Sequence, residues 1–148
     1  MRKIAFFSLT PSPPAPPANR MTLEALQNAF PNHEIDEFYI LPLLKKSPVA
    51  AGIAGAMASL TYAPDLVLGK RKLKYAAFRT PFMFNWIKRR ASGLIVPGEH
   101  EFSFQMQSIF DASTPDVPHF VYTDHTHLEN LNFEGFGPAD LYSKGWNE

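Results

Sequence analysis

Lys3–Leu9 reads KIAFFSL, followed by Thr10–Asn19 (TPSPPAPPAN), the stretch Arg20–Phe30 (RMTLEALQNAF) and Glu34–Leu41 (EIDEFYIL). The first run is short, apolar and ended by turn residues, the pattern of a strand buried on both faces. Five prolines fall between Pro11 and Pro17. Proline fixes φ and has no N–H to donate, so a stiff, extended loop is expected there. Asn19 is placed to cap a helix over Arg20–Phe30, with Met21, Leu23, Leu26 and Phe30 as its apolar residues, and Pro31-Asn32 stops it. Glu34–Leu41 alternates and then turns apolar, as a second strand does. A strand, a loop, a helix and a strand make the repeat unit of a parallel sheet. The expected fold is therefore α/β: a three-layer Rossmann-like domain, with a mostly parallel sheet flanked by helices.

Working outward, Pro48–Tyr62 (PVAAGIAGAMASLTY) is small and apolar on most sides and reads as a buried helix with close neighbours. Leu73–Arg89 reads as a further helix interrupted at Thr80-Pro81. Gly93–Val96 (GLIV), Phe102–Met106 (FSFQM) and His119–Tyr122 (HFVY) are strand candidates. Gln107–Ala112 forms a short helical or turn segment, and Ala139–Trp146 begins a final helix. A chain of 148 residues with 45% hydrophobic content fits one domain, taken over residues 1–148, and excludes wholesale disorder. With no cysteine, disulfides and thiolate metal sites are excluded. The apolar run after Met1-Arg2-Lys3 is too short for a signal peptide, and no stretch approaches the roughly 20 apolar residues of a membrane span. A cytoplasmic protein is expected.

Charge is distributed unevenly around a formal net of +0. Residues 70–90 hold Lys70, Arg71, Lys72, Lys74, Arg79, Lys88, Arg89 and Arg90 without an acid, whereas residues 91–148 hold nine acids and one base, Lys144. The basic stretch interleaves with Tyr75, Phe78, Phe82, Phe84, Trp86 and Ile87. That combination suits an anionic membrane surface, where snorkelling cations meet headgroups and rings sit at the interface, giving a peripheral association with the inner membrane face. A helix with an aromatic core side and a solvated Lys/Arg side accounts for the same pattern. Nucleic acid is not an expected partner, given the acidic remainder of the chain.

Val117–Leu128 (VPHFVYTDHTHL) carries the densest chemistry. An apolar strand runs into Thr123, Asp124, His125, Thr126 and His127, and ligands of open parallel sheets gather beyond the carboxyl ends of strands. A carboxylate beside two imidazoles orients a tautomer or shuttles a proton. His125 and His127 face one side of an extended chain, but no third ligand stands nearby, so no metal is expected. Local helix capping by Asp124 or Thr126 is the plainer reading of the same residues.

The run FVYTDHTHLENL, preceded by FSFQMQSIFDA (Phe102–Ala112) and Val117-Pro118-His119, resembles the N-terminal domain of retaining glycosyltransferases with two Rossmann-like domains, the GT-B type and its family 4-like group. The likeness covers nearly the whole chain in layout and Phe102–Leu131 in wording. It implies half of a GT-B architecture, and a sugar moved from a nucleotide-sugar to the hydroxyl of a sugar or lipid-linked acceptor. His125 would be the active-site residue, with Asp124 and Thr126 beside it. Thr10, Pro11, Ser12, Asn19 and Arg20 would lie at the acceptor loop. The family's first loop is commonly glycine-rich, whereas here it is proline-rich and contains no glycine. The family holds its nucleotide-sugar mainly through a C-terminal domain with paired glutamates, which this chain lacks, so binding without turnover and no cofactor are expected. The sequence stops at Trp146-Asn147-Glu148 within a helical pattern. Phe133, Phe136 and Trp146 are accordingly expected on an apolar face that drives homo-oligomer formation. Two other classes remain: a free-standing Rossmann-like module that binds a ligand or partner without catalysis, and a small hydrolase using Asp124 and His125, although it lacks a Gly-x-Ser-x-Gly elbow.

Overall fold

The computed structural model describes residues 2–11, 17–70, 72–78 and 80–123. The chain divides into two compact units, Met1–Leu43 with Ile87–Thr123, and Leu44–Trp86 with Asp124–Glu148.

The first unit is a Rossmann-like α/β fold. Its four strands are β1 (Arg2–Ser8), β2 (His33–Tyr39), β3 (His100–Met106) and β4 (His119–Tyr122), in the order β2-β1-β3-β4. Every pairing is parallel. β1 is central, which is why it tolerates a run of four apolar residues, Ile4–Phe7: a strand flanked on both sides and covered on both faces has no use for polar side chains. Ile4, Ala5 and Phe7 are fully buried, and Phe6 nearly so. Burying each large side chain contributes about 1.5–3 kcal/mol.

Period-two alternation then divides the sheet into two faces. On one, Ile4 and Phe6 lie level with Phe102 and Phe104 of β3 and Ile35 and Glu37 of β2. Helix α1 (Pro17–Ala29) closes this face through Leu26, which joins Ile4, Phe6, Phe102 and Met106 in one core, with Leu23 and Phe30 packed against it. On the other, Ala5 and Phe7 lie level with Ser103 and Gln105, and Phe7 stacks on Phe38 with ring centroids 5.1 Å apart. α6 (Pro81–Ser92) contributes Ile87 and Ala91 to the interior of this unit. α1 begins at Pro17, so Asn19 sits in its first turn rather than at its cap.

At the amino edge, a polar chain locks the strands together. The Val96 N–H donates to His100 Nδ1 at 2.9 Å, which leaves Nε2 to carry the proton and donate to Asp36 Oδ2 at 3.1 Å. Lys3 Nζ reaches the same carboxylate oxygen at 3.2 Å, and this contact raises the lysine's pKa. A bulge at Glu101 shifts the β1–β3 register and turns its carboxylate to Arg2 and His33. Gly93–Val96, expected as a strand, is instead the turn that leaves α6. Gly93 breaks the helix, the Leu94 N–H returns to the Ala91 carbonyl, and Ile95 anchors the turn as a buried residue.

The second unit contains the end of α2 (Ile40–Lys45), α3 (Pro48–Thr61), α4 (Ala63–Val67), α5 (Leu73–Phe78) and the start of α6. The break expected at Thr80-Pro81 is a helix start: Thr80 Oγ1 accepts from the Met83 N–H at 3.2 Å, and Pro81 takes the first helical position. α3 is not the buried helix its composition suggests. It buries only Ala50, Ala54 and Ala58, a stripe at helical spacing. Ala58 packs with Tyr62 and Ala76, with Leu66 and Ala77 alongside. Alanine lets these short helices approach closely, so the larger residues of α3 are left on the outer side.

Candidate functional site at the carboxyl edge of the sheet

In a parallel sheet the strand ends and helix starts converge at the carboxyl edge, where backbone groups are left to meet a ligand. Two features of the first unit occupy that edge. The first is a shallow, open groove of about 30 Å³ lined by Phe6, Ser8, Thr10, Asn19, Arg20, Leu23, Glu37 and Tyr39. Phe6 and Leu23 supply its apolar lining. Ser8 ends β1, is buried, and donates from Oγ to the Thr10 carbonyl at 3.1 Å, which holds the loop turn against the strand. Asn19 and Arg20 belong to the first turn of α1, next to the positive end of the helix dipole. Arg20 pairs with Glu24 at 3.5 Å, one turn along the exposed face.

Glu37 and Tyr39 come from β2, two residues apart and therefore on the same face. The Tyr39 hydroxyl donates to the Glu37 carboxylate. Burial, followed by that hydrogen bond and the carboxylate charge, pushes the Tyr39 phenol up to about 12. Tyr39 is thus a neutral hydrogen-bond donor at ordinary pH, and Glu37 an acceptor fixed beside it. The cleft offers hydroxyl, amide, guanidinium and carboxylate groups around an apolar base, a donor and acceptor set that matches a small hydroxylated molecule.

The second feature is the turn after β3. Gln107 has φ of 73°, the left-handed region that costs a non-glycine residue roughly 1 kcal/mol or more. Buried Gln105 holds it there. Its Nε2 donates to the carbonyls of Gln107 and Phe110 at 2.7 and 2.6 Å, and its Oε1 accepts from the Ala112 N–H at 2.9 Å. The Gln107 N–H in turn donates to the Tyr122 carbonyl at 2.8 Å, joining the turn to the end of β4. Lys88 and Asp111 form an ion pair at 2.6 Å. Burial opposes the ionised Asp111 carboxyl, but hydrogen bonds from Lys88 and Ser113 outweigh it and lower the pKa. Beside this turn, Ser103 Oγ and His119 Nδ1 are 2.8 Å apart, and burial depresses the imidazole's pKa.

Of the expected acceptor residues, Thr10, Asn19 and Arg20 are brought together in the cleft. Pro11 follows at the loop start, and Ser12 lies outside the described residues. Asp124, His125 and Thr126 also lie outside them, as do Phe133, Phe136 and Trp146. The basic stretch is divided between the units. Lys70, Lys72 and Lys74 are exposed in the second, whereas Lys88, Arg89 and Arg90 belong to the last turns of α6 in the first; Arg71 and Arg79 lie outside the described residues. Sequence reasoning missed Ser8, Glu37 and Tyr39. The alternation at the end of β2 shows only that Glu37 and Tyr39 share a face; the sheet pairing brings that face to α1.

Among the described residues, no group of three or more His, Cys, Asp or Glu is placed to hold a metal, and no helix is long and apolar enough to cross a membrane. Comparison with known protein families, curated proteins and solved structures finds no match to this chain.

Proposed function

We propose that the first unit is a ligand-binding domain that seats a small hydroxylated molecule in the β1–α1 cleft, as the acceptor side of a sugar-transfer enzyme. The cleft itself carries this reading: an apolar patch ringed by Ser8, Thr10, Asn19, Arg20, Glu37 and Tyr39 at the carboxyl edge of a parallel sheet. Apolar lining favours the C–H face of a sugar or polyol, and the surrounding donors and acceptors satisfy its hydroxyls. Arg20 favours a ligand with an anionic substituent. The resemblance of Phe102–Leu131 to retaining glycosyltransferases supports the transfer chemistry. In that reading His125, which follows β4 in sequence, carries the transfer chemistry. Glu37 accepts from a ligand hydroxyl, and the Tyr39 oxygen, whose proton is held by Glu37, accepts from a second one.

Calorimetric titration with free monosaccharides, sugar phosphates, glycerol phosphate and nucleotide-sugars tests the proposal. Binding of a sugar or polyol that weakens about tenfold in Tyr39→Phe, and more in Arg20→Ala for phosphorylated ligands, is the expected result. Binding that these variants leave unchanged, or no binding to any of the set, overturns it. Turnover of a nucleotide-sugar separates the transferase from the alternative, a free-standing binding module: binding without turnover in a chain extended through its downstream reading frame favours the module.

A further inference from the structure

The two walls of the β1–α1 groove have opposite hydrogen-bonding sense. The β2 wall accepts: Glu37 is a carboxylate, and the Tyr39 hydroxyl already gives its proton to it. The α1 wall donates. Pro17 opens the helix without an N–H, and the N–H groups of Ala18 and Asn19 have no acceptor within it, since a helix leaves its first donors unpaired. Arg20 meets Glu24 through Nε at 3.5 Å, so the terminal N–H groups of the guanidinium are left for another acceptor. The decisive residue is Asn19. It is only 7% exposed, it lines the groove, and its side-chain amide has no hydrogen-bond partner among the described residues. Buried polar groups are paired in the great majority of cases, because one left unpaired forfeits its hydration for nothing.

Size limits what the groove takes. About 30 Å³ is room for roughly two water-sized groups, one against each wall, and not for a sugar ring. The group at the α1 wall meets N–H donors beside a guanidinium and the positive end of the helix dipole, which is the environment of an oxyanion. The group at the β2 wall meets acceptors and a negative charge, which repels an oxyanion and suits a hydroxyl. We propose that Asn19, Arg20 and the first turn of α1 form an oxyanion subsite, which takes a phosphate or carboxylate oxygen while Glu37 and Tyr39 take a hydroxyl of the same ligand. Resting on the groove as a ligand site, this subsite narrows the ligand class from hydroxylated molecules to hydroxylated oxyanions, such as polyol phosphates and hydroxy acids. The remainder of the molecule lies over the groove.

Calorimetric titration of the whole chain at low salt with glycerol, glucose, glycerol phosphate, glycerate and inorganic phosphate tests the subsite. Glycerol phosphate should bind at least about tenfold more tightly than glycerol, because charge-assisted hydrogen bonds are roughly twice as strong as neutral ones. Glycerate tells a carboxylate from a phosphate, and short-chain phosphatidic acid tells a lipid-borne phosphate from a free one. A gain over glycerol with any of the three supports the subsite. Asn19→Ala deletes an amide that the free chain leaves unpaired. Thermal unfolding without ligand should therefore change little, while glycerol phosphate weakens about tenfold. Asn19→Asp keeps the side chain's shape and should erase the gain through like-charge repulsion. Glu37→Gln should act the other way and tighten inorganic phosphate about threefold, since it removes the opposing charge; a purely structural Glu37 gives no such response. If glucose binds but the oxyanions gain nothing over the neutral ligands, or if both Asn19 variants keep the gain, the oxyanion subsite is overturned and the groove remains a hydroxyl site. If nothing in the set binds, both readings fall.

Discussion

β1 and α3 are both rich in apolar residues, and the structure treats them in opposite ways. In β1, Ile4, Ala5, Phe6 and Phe7 are all buried, because a central strand has neighbours on both edges and covering on both faces. In α3, only three alanines are buried and every larger aliphatic residue is left outside. Composition alone therefore does not settle burial. What decides it is the number of sides from which an element is covered and the size of the residues at the contact. The sheet unit is organised around bulky aromatics and paired polar groups, whereas the helical unit is organised around close approach of alanines.

That contrast breaks most readily at Phe6. Phe6→Ala removes a ring from the core beneath α1 and should cost about 3–5 kcal/mol in chemical denaturation. If the loss were under about 1 kcal/mol, the sheet core would not have the density assigned to it. Gln105→Leu should cost about 2–3 kcal/mol, since it leaves the carbonyls of Gln107 and Phe110 and the Ala112 N–H without their partner in a buried turn. Amide exchange at Ala112 should rise in that variant, and unchanged protection would show that the turn does not depend on Gln105. Thr80→Ala tests the helical region, with an expected cost of about 1 kcal/mol for the lost cap of α6.

Two smaller effects sharpen the comparison. The Tyr39 phenol is raised from 10.0 to about 12, so its contribution to stability is complete below pH 10 and is lost as pH rises toward 12. Tyr39→Phe should flatten the fall of stability across that window while changing little at neutral pH. A variant with the same alkaline slope as the parent would remove Tyr39 from the account. Leu60→Ser should change stability by no more than about 0.5 kcal/mol, since the side chain it replaces is already in solvent. A loss comparable to that at Phe6 would mean that the outer side of α3 is part of a core.

The sheet was the legible part of the sequence. KIAFFSL, closed by prolines, admits little besides a buried strand, and HFVY forms the expected β4. GLIV misled because its residues favour strands, yet it follows α6 so closely that the chain needs those residues to turn. α3 misled for a different reason. Alanine and glycine read as buried on every side, although an alanine stripe needs only one close neighbour. Half of the cleft was legible in the proline loop and the helix start. The rest, Glu37 and Tyr39, arrives from a strand some twenty residues away through sheet pairing, and local pattern does not reveal that pairing. The roles assigned to Asp124, His125 and Thr126 rest on the resemblance of their sequence, as these residues lie beyond the described part of the chain.

The central claim is that the carboxyl edge between β1, β2 and α1 receives a small hydroxylated ligand. Its most direct test is a two-dimensional amide NMR titration of the whole chain with the sugars and sugar phosphates named above. The resonances of Ser8, Thr10, Asn19, Arg20 and Tyr39 should move together and saturate at one ligand per chain, while those of α3 stay in place. Shifts that avoid these five residues, or that scatter over both units without saturating, would contradict the account.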